Sequence, residues 1–192
     1  MGLTQNIRNS GTICWQLARK RGAWLSGMLL LMVSHTLTAA DDSMLEQSFG
    51  DFTEELQLAN SKKKKGVMLF FEQKDCPFCH RMKTTIFNLP RVQKYFKQNF
   101  LLFTVDIQKK EDIKDFQGRA TTQQKFFQRI SRHRGATPVI AFFDLKGKLV
   151  ARYTGATSNA EEFMLLGKYV IDKAYQKQSF TAYKRKQRKM KL

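Results

Sequence analysis

The stretch Cys76-Pro77-Phe78-Cys79-His80 sets two thiols three residues apart with an imidazole directly after them. Two chemistries fit that spacing. As C-x-x-C, the pair can open and close a disulfide and so carry two electrons. As C-x-x-C-H, the same sulfurs can bond a haem covalently while His80 ligates its iron. Zinc would need two more ligands, and beyond residue 40 the chain offers no other cysteine and, besides His80, only His133. No metal is expected.

Pro77 suits the first turn of a helix, where its missing N–H costs nothing and its fixed φ is already helical. Cys76 then caps that helix, facing its free N–H groups and the positive end of its dipole. Such a setting favours thiolate over thiol and lowers the pKa from ~8.5. Cys76 is therefore the expected nucleophile. Cys79, a turn further in and less open to solvent, is placed to resolve a mixed disulfide. Pro77, Phe78 and His80 are the candidates for tuning the pair, although a histidine in this position commonly just faces solvent.

The elements that must hold this centre can be read on either side of it. Residues 66–71, GVMLFF, form a short apolar run bounded by polar residues, a buried strand that delivers the chain into the motif. Residues 43–59 repeat apolar side chains at helical spacing through Leu45, Phe49, Phe52, Leu56 and Ala59. After Cys79 the helical pattern continues through Met82 and Ile86 until Pro90 interrupts it, and RVQKYFKQN follows as another helix. FLLFTVDI is a second strand, residues 108–118 are loop-like, and residues 121–131 form a helix bearing Phe126, Phe127 and Ile130. TPVIAFFD, a turn at Gly147 and LVARYT make a hairpin, and AEEFMLLGKYVIDKAY makes a closing helix. This order predicts an α/β fold, a mixed sheet of about four strands with helices on both faces. A strand entering the motif and a later hairpin favour the dithiol over the haem reading, because small c-type cytochromes are mainly helical.

The first 40 residues carry four cations and no acid, then the apolar run AWLSGMLLLMV at residues 23–33, then small residues at Thr38 and Ala40. That is the layout of an export signal, with cleavage expected after Ala40; the alternative is an uncleaved anchor, although the run is shorter than the ~20 residues a span needs. Cleavage removes Cys14 and leaves the pair alone in an oxidising compartment, where close cysteines cycle rather than staple distant segments. The net charge of +18 falls to +14 when the leader's cations go. A basic balance suits anionic partners, but export argues against nucleic acid. Three regions are expected: leader 1–40, domain 41–180 and a basic, disordered tail 181–192 that solubilises the chain or docks anionic surfaces.

GVMLFF, the C-x-x-C at a helix head and RGATPVIAFFDLKGKLVARYTGATSNAEEF together resemble the thioredoxin superfamily over about residues 43–178, with Gly135, Pro138, Gly147 and Gly155 on the family's pattern. The leader, the FFEQKDCPFCHRMK run and Thr137 before Pro138 are most similar to the periplasmic thioredoxin-related, SoxW-type group. The resemblance implies a cis Thr137–Pro138 bond beside the cysteines and pairing of the Thr137 backbone with the substrate chain. It implies an exported thiol:disulfide oxidoreductase that reduces, or less readily oxidises or isomerises, disulfide-containing client proteins. It further implies a membrane thiol-disulfide electron donor, a monomer and no cofactor. A non-catalytic module using the groove at Pro138 is a further alternative. The departures are Asp75 in place of the family's Trp, Phe70 in place of its buried Asp, with Glu72 as the candidate substitute, and Thr84 in place of the proline that kinks its helix.

Overall fold

A computed structural model describes residues 43–190; the expected leader, its cleavage point and Cys14 lie outside them. The elements in order are β1 Glu46–Gln47, α1 Phe52–Ser61, β2 Gly66–Glu72, α2 Pro77–Met82, a π-helical turn Lys83–Phe87, α3 Pro90–Asn99 and β3 Phe100–Asp106. There follow β4 Asp112–Lys114, β5 Ala120–Thr122, α4 Gln123–Ser131, β6 Val139–Phe143, β7 Leu149–Thr154, α5 Ala160–Ile171, a 3-10 turn Ala174–Gln176 and α6 Phe180–Lys189. Five strands form one sheet in the order β1-β3-β2-β6-β7. Its first three members are parallel, while β6 and β7 are antiparallel to their neighbours. The strand beyond the expected four is β1, two residues on the edge.

The central strands β2 and β6 are apolar at nearly every position because the sheet is covered on both faces. Met68, Phe70, Ile140 and Phe142 point to the side that also buries Met82, Phe96 and Phe163, from α2, α3 and α5. Val67, Leu69, Phe71, Val139 and Phe143 point to the other side, against Phe52, Phe126 and Phe127 of α1 and α4. Phe96 and Phe163 stack with centroids 4.0 Å apart and join α3 to α5 over the first face. Both cysteines belong to that first cluster, so the redox pair is built into the core beneath α2.

Several boundaries differ from the sequence reading, each for a local reason. The helical period spelled from Leu45 begins to act only at Phe52, because Gly50 takes φ +91° and Asp51 caps α1, its Oδ1 accepting the Thr53 N–H at 2.9 Å. Phe49, placed by periodicity on the buried face, is 99 % exposed. The loop expected over 108–118 contains β4, paired with β5, and α4 starts two residues late at Gln123, capped by the Thr122 hydroxyl. Past α2 the backbone loosens into a π turn where Thr84 and Thr85 donate their hydroxyls to the carbonyls of His80 and Arg81. Pro90 does not bend this helix; it sits at the first position of α3.

The tail expected to be disordered is helical as far as Lys189, and its reason is tertiary. Tyr183 is buried, ring to ring with Tyr169, and Phe180 packs on Tyr153 and Tyr169. The Tyr169 hydroxyl donates to the Gln178 carbonyl at 2.6 Å, and Lys184 pairs with the buried Glu162. Burial alone would raise the Glu162 carboxyl. The Lys184 ammonium and the Ser158 N–H outweigh it and hold the group at about 2, below its ordinary 4.5. A carboxylate depressed in the fold contributes stability that is full above about 4.5 and is lost as pH falls toward 2. Glu162→Gln should therefore cost about 1–3 kcal/mol at neutral pH, and the gap to wild type should close on acidification. Urea unfolding at neutral and acid pH measures it; a gap that stays constant would remove this carboxylate from the stability account.

Candidate active site

β2 ends at Glu72, and four residues later Cys76 stands at the N-cap of α2 with extended backbone, φ −100° and ψ 101°. Pro77 follows at the first helical position, as its ring geometry favours. The Cys76 Sγ accepts the N–H of Cys79 at 3.1 Å, so the sulfur fills the capping role usually taken by a serine or aspartate oxygen. Cys76 and Cys79 are joined by a disulfide, with Cα atoms 5.2 Å apart. Cys76 is 5 % and Cys79 2 % exposed; the difference in access expected from the sequence exists, but it is small. Between them Phe78 stands out from the surface, 59 % exposed, and His80 also faces solvent.

Thr137 and Pro138 lead into β6, whose first residue, Val139, pairs with Phe71 near the end of β2. The structure therefore brings them to the end of the sheet from which the cysteine loop departs. The Thr137–Pro138 bond is cis, and the Pro138 carbonyl accepts the Gly155 N–H at 2.8 Å. Pro138 is buried and Thr137 half-buried.

Glu72 has a different set of partners from the one expected of a proton-transfer group. Its Oε1 accepts from the Lys83 ammonium at 2.5 Å and from the Thr104 hydroxyl at 2.7 Å. Neither bond reaches a cysteine. These three side chains line a cavity of about 550 Å³ closed on other sides by Met44, Leu45, Gln47 and Phe87. Phe70, where the family carries its buried acid, meets Phe87 edge to face at 5.0 Å. The ground under the disulfide is thus hydrocarbon, with the nearest acid of β2 displaced to the strand end and paired.

Two contributors escaped the sequence reading. Arg81 donates from Nη2 to the Thr157 carbonyl at 2.9 Å, tying α2 to the segment between Gly155 and α5. Lys83, four residues after Cys79, carries the ion pair with Glu72. The signals were faint: Thr104 is the one polar residue inside FLLFTV, and Lys83 follows Cys79 at helical spacing.

This arrangement suits thiol–disulfide exchange. Two sulfurs sit at bonding distance, one of them receives a helix N–H, and an exposed apolar side chain lies between them. Haem attachment fits poorly, because it needs both sulfurs for thioethers and an open side for the macrocycle, whereas both are joined to each other and packed in the core. Among the described residues, no three His, Cys, Asp or Glu side chains gather closely enough to hold a metal, and no helix is long and apolar enough to cross a membrane.

A sheet of this order, with helices on both faces and a C-x-x-C disulfide capping the helix after a central strand, defines a thioredoxin-like domain. The sequence model of the thioredoxin-like domain family matches residues 52–171, and the chain belongs to that family. Among solved structures it is similar to a thioredoxin-fold protein from Helicobacter pylori, at 19 % identity and TM-score 0.53, covering 67 % of this chain and 87 % of that one. It is also similar to the DsbH oxidoreductase, at 19 % identity and TM-score 0.50, covering 74 % of this chain and 92 % of that one. At such identity the likeness is one of fold. No curated protein matches the chain by sequence.

Proposed function

We propose that this protein is an exported thiol:disulfide oxidoreductase of the periplasm, related to the SoxW-type thioredoxins, that reduces disulfides in client proteins. The observation that carries the reading is the Cys76–Cys79 disulfide at the N-cap of α2 in a thioredoxin-like domain. In the reduced protein the Cys76 thiolate attacks one sulfur of a client disulfide, forms a mixed disulfide and releases the other client sulfur as a thiolate. The Cys79 thiolate then attacks Cys76 Sγ, releases the second client thiolate and closes the pair. Two electrons pass to the client, and a membrane thiol donor restores the dithiol. The client chain lies along Thr137 and Pro138 as an added strand, with Phe78 as an apolar contact.

The reading is tested on the reduced protein by following the alkylation rate of Cys76 against pH. The helix N–H and dipole at its sulfur give an expected midpoint below the ~8.5 of a free thiol, with Cys79 reacting more slowly. A midpoint at or above that of a free thiol would remove Cys76 as the nucleophile. Export is tested by the intact mass of protein recovered from cells, which should begin at Asp41; a retained leader would replace export in soluble form by anchorage.

A further inference from the structure

The family match ends at Ile171, yet the chain continues in ordered form to Lys189. This added segment is held to the domain by its inner side, through Phe180, Tyr183 and Lys184. Its outer side is of another character. Residues 173–190 hold seven cations and no acid. One of them, Lys184, is committed to Glu162. The other six, Lys173, Lys177, Arg185, Lys186, Arg188 and Lys189, are exposed, and none forms an ion pair among the described residues. Elsewhere cations are repeatedly matched: Lys83 with Glu72, Lys114 with Asp51, Arg119 and Arg129 with Asp115, Lys168 with Asp172. A packed helix that spends its aromatic residues inward and presents unmatched charge outward has a surface suited to something anionic.

We propose that the outer face of α6 docks the domain onto an anionic phospholipid surface. The composition of that face selects lipid over a protein partner. Protein interfaces depend on apolar and aromatic anchors and are depleted of lysine at their centres. Here Phe180 and Tyr183 are already engaged within the fold, and the outward positions of α6 are Thr181, Arg185, Lys186, Arg188 and Lys189. A headgroup layer asks only for charge density, and four to eight basic residues on one helix suffice. Nucleic acid would also answer to charge, but α6 turns no aromatic ring outward on which bases could stack. The apolar run at residues 23–33 also brings the chain to a membrane on its way out of the cell. Attraction of this kind grows with each cation near the surface and fades with salt.

The full chain is mixed with vesicles of phosphatidylcholine alone or phosphatidylcholine with phosphatidylglycerol, at low and raised ionic strength, and bound protein is sedimented. Residues 1–40, with their apolar run and four cations, are identical in wild type and variants, so the change in preference on substitution reports α6 alone. Wild type should prefer the phosphatidylglycerol vesicles and release in salt. R185Q/K186Q/R188Q/K189Q should lose that preference by about a hundredfold or more, and R188Q/K189Q by about an order of magnitude, with disulfide reduction unchanged in both. Equal binding to the two vesicle types, or a preference that survives all four substitutions, overturns the proposal. So does binding of a DNA duplex with no binding to phosphatidylglycerol vesicles. If the four-site variant has lost its fold by circular dichroism, the two-site variant decides by the same criterion.

Discussion

Cys76→Ser should abolish reduction of a protein disulfide, lowering the rate about three orders of magnitude or more, while leaving the fold intact. The hydroxyl is isosteric with the thiol and can accept the same Cys79 N–H that the sulfur accepts at 3.1 Å, so the N-cap survives. What is lost is the nucleophile, because a serine hydroxyl at an N-cap has no adjacent base to activate it and its pKa is far above that of a thiol. The loss should appear in kcat rather than in client affinity, since Phe78, Thr137 and Pro138 are untouched. Turbidity from insulin reduction measures the rate, and thermal unfolding checks the fold. A variant that still turned over insulin would move catalysis away from this pair. A variant that lost turnover but kept client binding at wild-type strength would fit the oxidoreductase and also show how much of the groove works without chemistry.

The second large effect concerns stability and lies at Gly66, where β2 begins. A Cβ built there would stand 2.0 Å from the Phe143 carbonyl oxygen of β6, far inside van der Waals contact. The obstacle is backbone in the middle of the sheet, so no side-chain rotation relieves it. Either the end of the β2–β6 ladder separates, exposing the partners of Val67 and Phe143, or the variant does not fold. Gly66→Ala should cost about 3 kcal/mol or more. For a chain of this size that corresponds to a fall in Tm of about 6–12 °C. Gly118→Ala is the matched control. Like Gly66, at φ +156°, it has a positive φ, +74°, but the nearest atom to an added Cβ is 3.8 Å away, so only the conformational cost of about 1 kcal/mol applies. Equal losses at the two positions would mean that backbone conformation, and not the close approach of β6, dictates glycine at 66.

The parts of this molecule legible in the sequence are those whose cause is local or periodic. Pro77 after Cys76 marked the helix start because proline at the first position needs no partner elsewhere in the chain. The unbroken apolar runs of β2 and β6 marked a sheet covered on both faces. Where the structure departs from the sequence pattern, the cause is either a local break in a period or a contact between distant residues. The period through Leu45 and Phe49 looks helical, yet Gly50 and Asp51 restart the chain and leave Phe49 in solvent. The basic tail looks disordered because its composition hides the two residues that matter, Tyr183 and Lys184, whose partners Tyr169 and Glu162 lie on α5. Glu72, the expected substitute for the family's buried acid, is instead engaged by Thr104 of β3 and by Lys83 of the turn after α2, contacts between separate elements that no single segment encodes.

In the proposed reaction Cys76 exchanges with client disulfides and Cys79 resolves the product. The measurement that meets it most directly is the intact mass of reduced Cys79→Ser after incubation with a disulfide client, quenched in acid and run without reductant. The expected product is an adduct of one protein and one client chain that dithiothreitol releases and that is absent from the Cys76→Ser/Cys79→Ser double variant. No adduct, or an adduct that persists in the double variant, would contradict it.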